Sequence, residues 1–192
     1  MGLLVLGLVI FLGAHSTRIF ADDWRGRQIA RIGERPWKGL YSVVSIVGFA
    51  LVIWGYGQAR NLPGLLWLSP QWLRHVTALL MLISFVLLVA AYVPRNSIRA
   101  RLHHPMLLGV KTWAFAHLLS NGSDADVLLF GAFLVWAVVA FRAARRRDRA
   151  ANTVYAPGTA RGTAIAVIVG IVAWAVFGMW LHGPLIGVKP IA

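Results

Sequence analysis

The chain has 192 residues, is 59% hydrophobic with a mean hydropathy of +0.71, and carries a formal net charge of +13. Only 13% of its residues are charged, against about a quarter in a soluble domain, which excludes an ordinary soluble fold. Unbroken apolar runs exclude the ten-residue alternation of an outer-membrane barrel, and the absence of cysteine excludes disulfides, thiolate metal sites and haem-thiolate ligation.

Six apolar runs follow in chain order: Gly2 to Phe20, Leu40 to Gln58, Leu73 to Val93, Met106 to Leu119, Asp126 to Arg142 and Thr163 to Leu181. All but the fourth approach the roughly 20 residues that cross a hydrocarbon core. The expected fold class is therefore all-α: a polytopic membrane helix bundle of about six transmembrane helices. Residues 1–149 form a five-helix membrane domain, and 150–192 add a turn and a sixth helix to the same bundle. The first run has no basic residue before it and several after it, so it reads as a span rather than a cleaved signal peptide.

The basic residues lie between the runs, a loop pattern that argues against nucleic acid as a partner and for the lipid bilayer. All 19 Lys and Arg residues fall in loops one (Arg18 to Lys38), three (Arg95, Arg99, Arg101) and five (Arg142 to Arg161), except Arg60, Arg74, Lys111 and Lys189. The positive-inside rule then places loops one, three and five in the cytoplasm and both termini outside. Between the fourth and fifth runs, Asn121-Gly122 is expected to close one helix with a left-handed cap. Ser123 to Asp126 opens the next with a serine N-cap and acidic groups at the positive helix end. A tight antiparallel hairpin is the consequence.

Two histidines lie inside apolar runs: His15 in the first and His117 in the fourth. Ionisable residues within membrane segments normally face the interior and mark a site. At 1.5 Å per residue, His15 lies ~8 Å and His117 ~18 Å above the cytoplasmic helix ends. Asn121, four residues beyond His117, shares its helix face. His103 and His104, before Pro105, sit at a helix N-terminus beside Arg95, Arg99 and Arg101, where carboxylates or phosphates are favoured. Lys111 lies near the His104 face of the fourth run. Tyr41, Ser42, Ser45, Tyr56 and Gln58 read equally as helix-packing residues. No HExxH, phosphate-loop or dinucleotide signature occurs. Histidines without carboxylates or cysteines suit haem, which needs one or two axial imidazoles in an apolar slot, better than zinc or di-iron chemistry.

Several motifs resemble those of NnrU proteins, bacterial inner-membrane proteins linked to denitrification. They are Phe11-Leu12-Gly13-Ala14-His15-Ser16, Trp37 to Ser42, Trp54 to Arg60, and the block from Tyr92 through His103-His104-Pro105 and Lys111 to Gly122. The resemblance covers Gly2 to about Arg149. It implies an inner-membrane location and a partner system in nitrite and nitric oxide reduction. Distant relatives, the plant 15-cis-zeta-carotene isomerases, are similar to haem-b proteins with two histidine ligands. By motif these ligands match His15 and His117; Arg99, Arg101 or Lys111 would then neutralise haem propionates, with His104 a further cofactor-binding candidate. On that reading the two rings should face each other across one cavity, although the depths above differ by ~10 Å. A non-enzymatic accessory protein for a membrane complex is one alternative. Another is a membrane methyltransferase, which the His-Pro element resembles but which the acid-poor C-terminal half does not support.

Overall fold

A computed structural model describes residues 1–61 and 64–190. Residues 191–192 of the sixth-helix segment lie outside the described residues. The six apolar runs are helices α1 (Gly2–Phe20), α3 (Glu34–Ala59), α4 (Leu73–Ala90), α6 (Pro105–Ser120), α7 (Asp124–Ala150) and α8 (Ala160–Val176), with α2 (Asp22–Ile32) and α5 (Ser97–Leu102) between them. From α8 the chain passes through a π-type turn, Phe177–Leu181, into α9 (His182–Ile186).

Three local differences from the expectation have clear causes. The first loop contains α2, which has no apolar run to announce it. Asp22 and Asp23 occupy its positive end, Trp24 packs edge-on against the buried Trp37 at 5.7 Å, and Gly33 at φ 89° ends it. Helix α7 continues eight residues past Arg142, to Ala150, because alanine and arginine are strong helix formers even when charged side chains end the membrane run. The left-handed cap after α6 is absent: Asn121 is extended (φ −124°, ψ 122°). That conformation lets Gly122 accept from Leu66 N at 2.7 Å, while Ser123 bridges to Leu65. The expected serine cap is present, as a full capping box between Ser123 and Asp126.

Helices pack as a row of neighbours in the order α3, α1, α7, α6, α4, α8. The α1–α3 contact is unusually close because three glycines line it. A Cβ on Gly48 would lie 2.7 Å from Phe11 N, and one on Gly55 2.7 Å from Leu4 Cα; Gly7 abuts Val52 in the same way. Small residues that let backbones approach are the usual source of helix association in lipid, where no hydrophobic force acts between apolar helices. Between α4 and α6, the buried Ser84 donates to Gly109 O at 2.9 Å.

At 16 residues, α6 rises ~24 Å, less than the ~30 Å hydrocarbon core. Its ends are therefore closed by other segments. The strap from Gly64 to Trp72 folds over its C-terminus, where Ser69 Oγ donates to Leu119 O at 2.9 Å. Such closure supplies partners for helix-end carbonyls that lipid cannot satisfy.

Candidate functional site

His15 on α1 and His117 on α6 have the same local geometry. Each Nδ1 donates to the carbonyl four residues back, Phe11 O at 2.7 Å and Trp113 O at 3.0 Å. That bond fixes the proton on Nδ1 and leaves Nε2 with a free lone pair; neither Nε2 makes a hydrogen bond among the described residues. An imidazole held in this way through its other nitrogen is prepared to ligate a metal. Because each ring leans toward its own helix N-terminus and the two helices run in opposite directions, both rings point toward the middle of the bundle.

Helix α7 supplies the wall they share. Phe130, Phe133 and Trp136 recur at three-residue spacing, which places them on one face. His117 stacks on Phe130 with ring centres 4.7 Å apart, and His15 meets Trp136 edge-on at 6.1 Å. Those two α7 positions are six residues apart, a separation of ~9 Å along the helix, close to the depth difference expected from sequence. Phe133 fills the level between, 5.8 Å from Phe11 and 5.3 Å from Trp113. The two histidines thus meet the same aromatic ladder at different levels, with Phe133 packed against Phe11 and Trp113 between them. Their donor chemistry suits haem iron.

His15 opens instead on a cavity of about 470 Å³ between α1, α2 and α3, lined also by Arg18, Arg25, Trp37, Lys38 and Tyr41. The indole nitrogen of Trp136, the residue that meets His15 edge-on, is buried without a hydrogen-bond partner among the described residues, although buried polar groups are rarely left unpaired.

The remaining expected site residues lie elsewhere. Asn121 donates to the His117 carbonyl at 2.9 Å rather than to its ring. Arg99 and Arg101 are exposed on α5, and Arg99 reaches Ala91 O at 3.3 Å. The Lys111 ammonium lies over the Phe141 ring at 5.6 Å. His104 also meets Phe141, at 6.1 Å, and its Nε2 lies 2.8 Å from Asp148 Oδ2. Arg99, Arg101, His104 and Lys111 are therefore gathered around α5 and the N-terminal half of α6, apart from both intramembrane histidines.

The pairing of His104 with Asp148 was not legible in sequence, because 44 residues separate them. Tyr155 donates to the same carboxylate oxygen at 3.0 Å, and its ring stacks on His103 with centres 4.1 Å apart. His103 is held at φ 68°, ψ −50°, the centre of a strained γ-turn closed by His104 N on Leu102 O at 2.8 Å, and its Nδ1 contacts Arg145. Burial, then the hydrogen bond to Asp148 and its charge, push the Tyr155 phenol above its ordinary value.

At the opposite end Asp126 is 8% exposed. Its carboxylate accepts from Tyr56 Oη at 2.6 Å, Ser123 Oγ at 2.6 Å and Ser123 N at 3.0 Å. These bonds tie α3 to α7 and satisfy the buried charge. They account for Tyr56 as a structural residue.

Helices of this length and apolarity, five of them long and apolar enough to cross a bilayer, define a multi-pass α-helical membrane protein with two partly buried histidines on its helices. The NnrU protein family model matches residues 3–190, so the chain belongs to the NnrU family. The match extends past Arg149, through α8 and α9. Comparison with curated proteins and with solved structures gave no match.

Proposed function

We propose that this NnrU-family protein is a bacterial inner-membrane haem b protein, with His15 and His117 as its iron-binding imidazoles and its arginine-rich helix ends in the cytoplasm. The observation that carries the reading is the shared geometry of these histidines. Both have a proton fixed on Nδ1 and a free Nε2, and both are set in an aromatic interior. Haem would supply reversible one-electron chemistry and a binding position for nitric oxide, which suits the family's link to nitrite and nitric oxide reduction. The chain's own contribution is to fix the tautomers, exclude water with the α7 ladder, and offer cations at the mouth of the His15 cavity. Arg18, Arg25 and Lys38 line that cavity with Glu34 and would meet acidic substituents there, Lys38 giving up its pairing with Glu34 and Arg25 its pairing with Asp22; the haem reading of the sequence had given this role to Arg99, Arg101 or Lys111.

The packing makes the ligand count a specific question. A porphyrin in the His15 cavity would be held by His15, whereas one held by both histidines would need the level where Phe133 and Phe11 now pack. The test is the visible spectrum of the protein purified in detergent after haem-sufficient expression. A Soret band lost in His15→Ala and retained in His117→Ala assigns a single ligand. Loss in each of the two single variants assigns a shared iron. No band, or one unchanged when both histidines are replaced, overturns the proposal.

A further inference from the structure

We infer that the arginine-rich end of the bundle carries a second site, between α1, α6 and α7, that binds a phosphate-bearing ligand. It does not require His15 and His117 to bind iron, although Arg18 lines both cavities. The site is a cavity of about 640 Å³ whose lining includes Arg18, His104, Leu107, Ala144, Arg147 and Asp148, a volume within the usual range for small-molecule pockets.

The charge in this cavity is lopsided. Asp148 is its one carboxylate, and its Oδ2 is already engaged by His104 and Tyr155, with His103 3.8 Å away. Against it stand the guanidiniums of Arg18 and Arg147, with Arg145 held beside His103. Arg147 donates one N–H to the Arg18 carbonyl at 3.0 Å, which leaves the rest of its planar fork open. The Arg18 side chain makes no ion pair among the described residues. Two forks in a concave, partly desolvated setting match the tetrahedral oxygens of a phosphate group better than any point charge does. A cationic ligand such as a sulfonium would meet uncompensated positive charge.

His104 lines the cavity with its Nε2 donating to Asp148, which orients the carboxylate and leaves the two arginines as the donors for a ligand. The floor, Leu107 and Ala144, is apolar, and the cavity sits where the membrane runs end. The chemistry fits a phosphate carried on an apolar body. Its source is either the head group of an anionic phospholipid or a soluble phosphate ester.

The experiment uses the full chain in nanodiscs and has two arms. In phosphatidylcholine discs, inorganic phosphate is titrated and binding is read from the tryptophan-fluorescence melting midpoint. In discs containing phosphatidylglycerol, lipid retained after release is counted by native mass spectrometry. A response in the first arm assigns a soluble phosphate ligand, and retention in the second assigns a lipid head group. Either response should weaken at least tenfold in the double variant Arg18→Gln, Arg147→Gln. Should that variant not fold, Arg147→Lys, which keeps the charge but loses the fork, should weaken binding several-fold without lowering the ligand-free midpoint. Absence of binding in both arms, or binding unaffected by these substitutions, overturns the inference.

Discussion

The α1–α3 interface offers a quantitative test of the packing. In Gly55→Ala the new methyl would sit 2.7 Å from both Leu4 Cα and Leu3 C, all backbone atoms that cannot rotate away. Ordinary carbon contacts are ~3.5–4.0 Å, so the two helices must separate by about 1 Å along a seam that includes Leu4, Leu8 and Val52. Overpacking of this kind costs ~1–3 kcal/mol. In a chain of this size each kcal/mol lowers the midpoint by ~2–4 °C, which gives a fall on the order of 2–12 °C in detergent micelles, read from tryptophan fluorescence. Gly57→Ala is the matched control, since nothing lies within 4 Å of its added methyl. Adding Gly48→Ala to Gly55→Ala should cost less than the sum of the two single changes, because the first has already opened the seam. Equal midpoints for Gly55→Ala and Gly57→Ala would refute the reasoning.

At the other end of α7, Asp126→Ala removes the acceptor for Tyr56 and for Ser123 and should destabilise the protein by ~1–3 kcal/mol. Tyr56→Phe, which leaves the capping box intact, should cost less, about 1 kcal/mol; both are read as melting midpoints. The Tyr155 phenol should ionise above the ordinary tyrosine value of ~10, measured as the absorbance step that Tyr155→Phe removes. Asp148→Asn should bring that step down, because the carboxylate is among the groups that raise it. Since the folded-state value is the higher one, the stability contribution of the neutral phenol is complete below the unfolded value and is lost as pH rises through the folded one.

What the sequence revealed was local. Run lengths located the six long helices, and the Ser123 to Asp126 pattern located a cap, because both depend only on neighbouring residues. Helix α2 was hidden because an eleven-residue polar helix leaves no apolar run. The cap after α6 was misjudged because the strap from Gly64 to Trp72, remote in sequence, dictates an extended Asn121. Within the candidate site, the two histidines meet α7 six residues apart, ~9 Å along that helix, an offset that depends only on residue rise. The partners of His104 were not legible: Asp148 lies in an arginine run that reads as a charged loop, and only its helical continuation brings it to α6. The spacing of Phe130, Phe133 and Trp136 was a usable signal for the aromatic wall. Nothing in the sequence said which histidine each ring would meet.

The order of neighbours in the bundle has a consequence for how the protein is made. Helices α1 and α3 can pair as soon as both are in the membrane, and α4 and α6 likewise, which gives two separate half-assemblies during synthesis. Helix α7 comes later and inserts between α1 and α6, joining the halves. Phe130, Phe133 and Trp136 all arrive on that helix, so the surroundings of His15 and of His117 are completed in one late step. A nascent chain that has not yet released α7 holds both imidazoles without their aromatic wall.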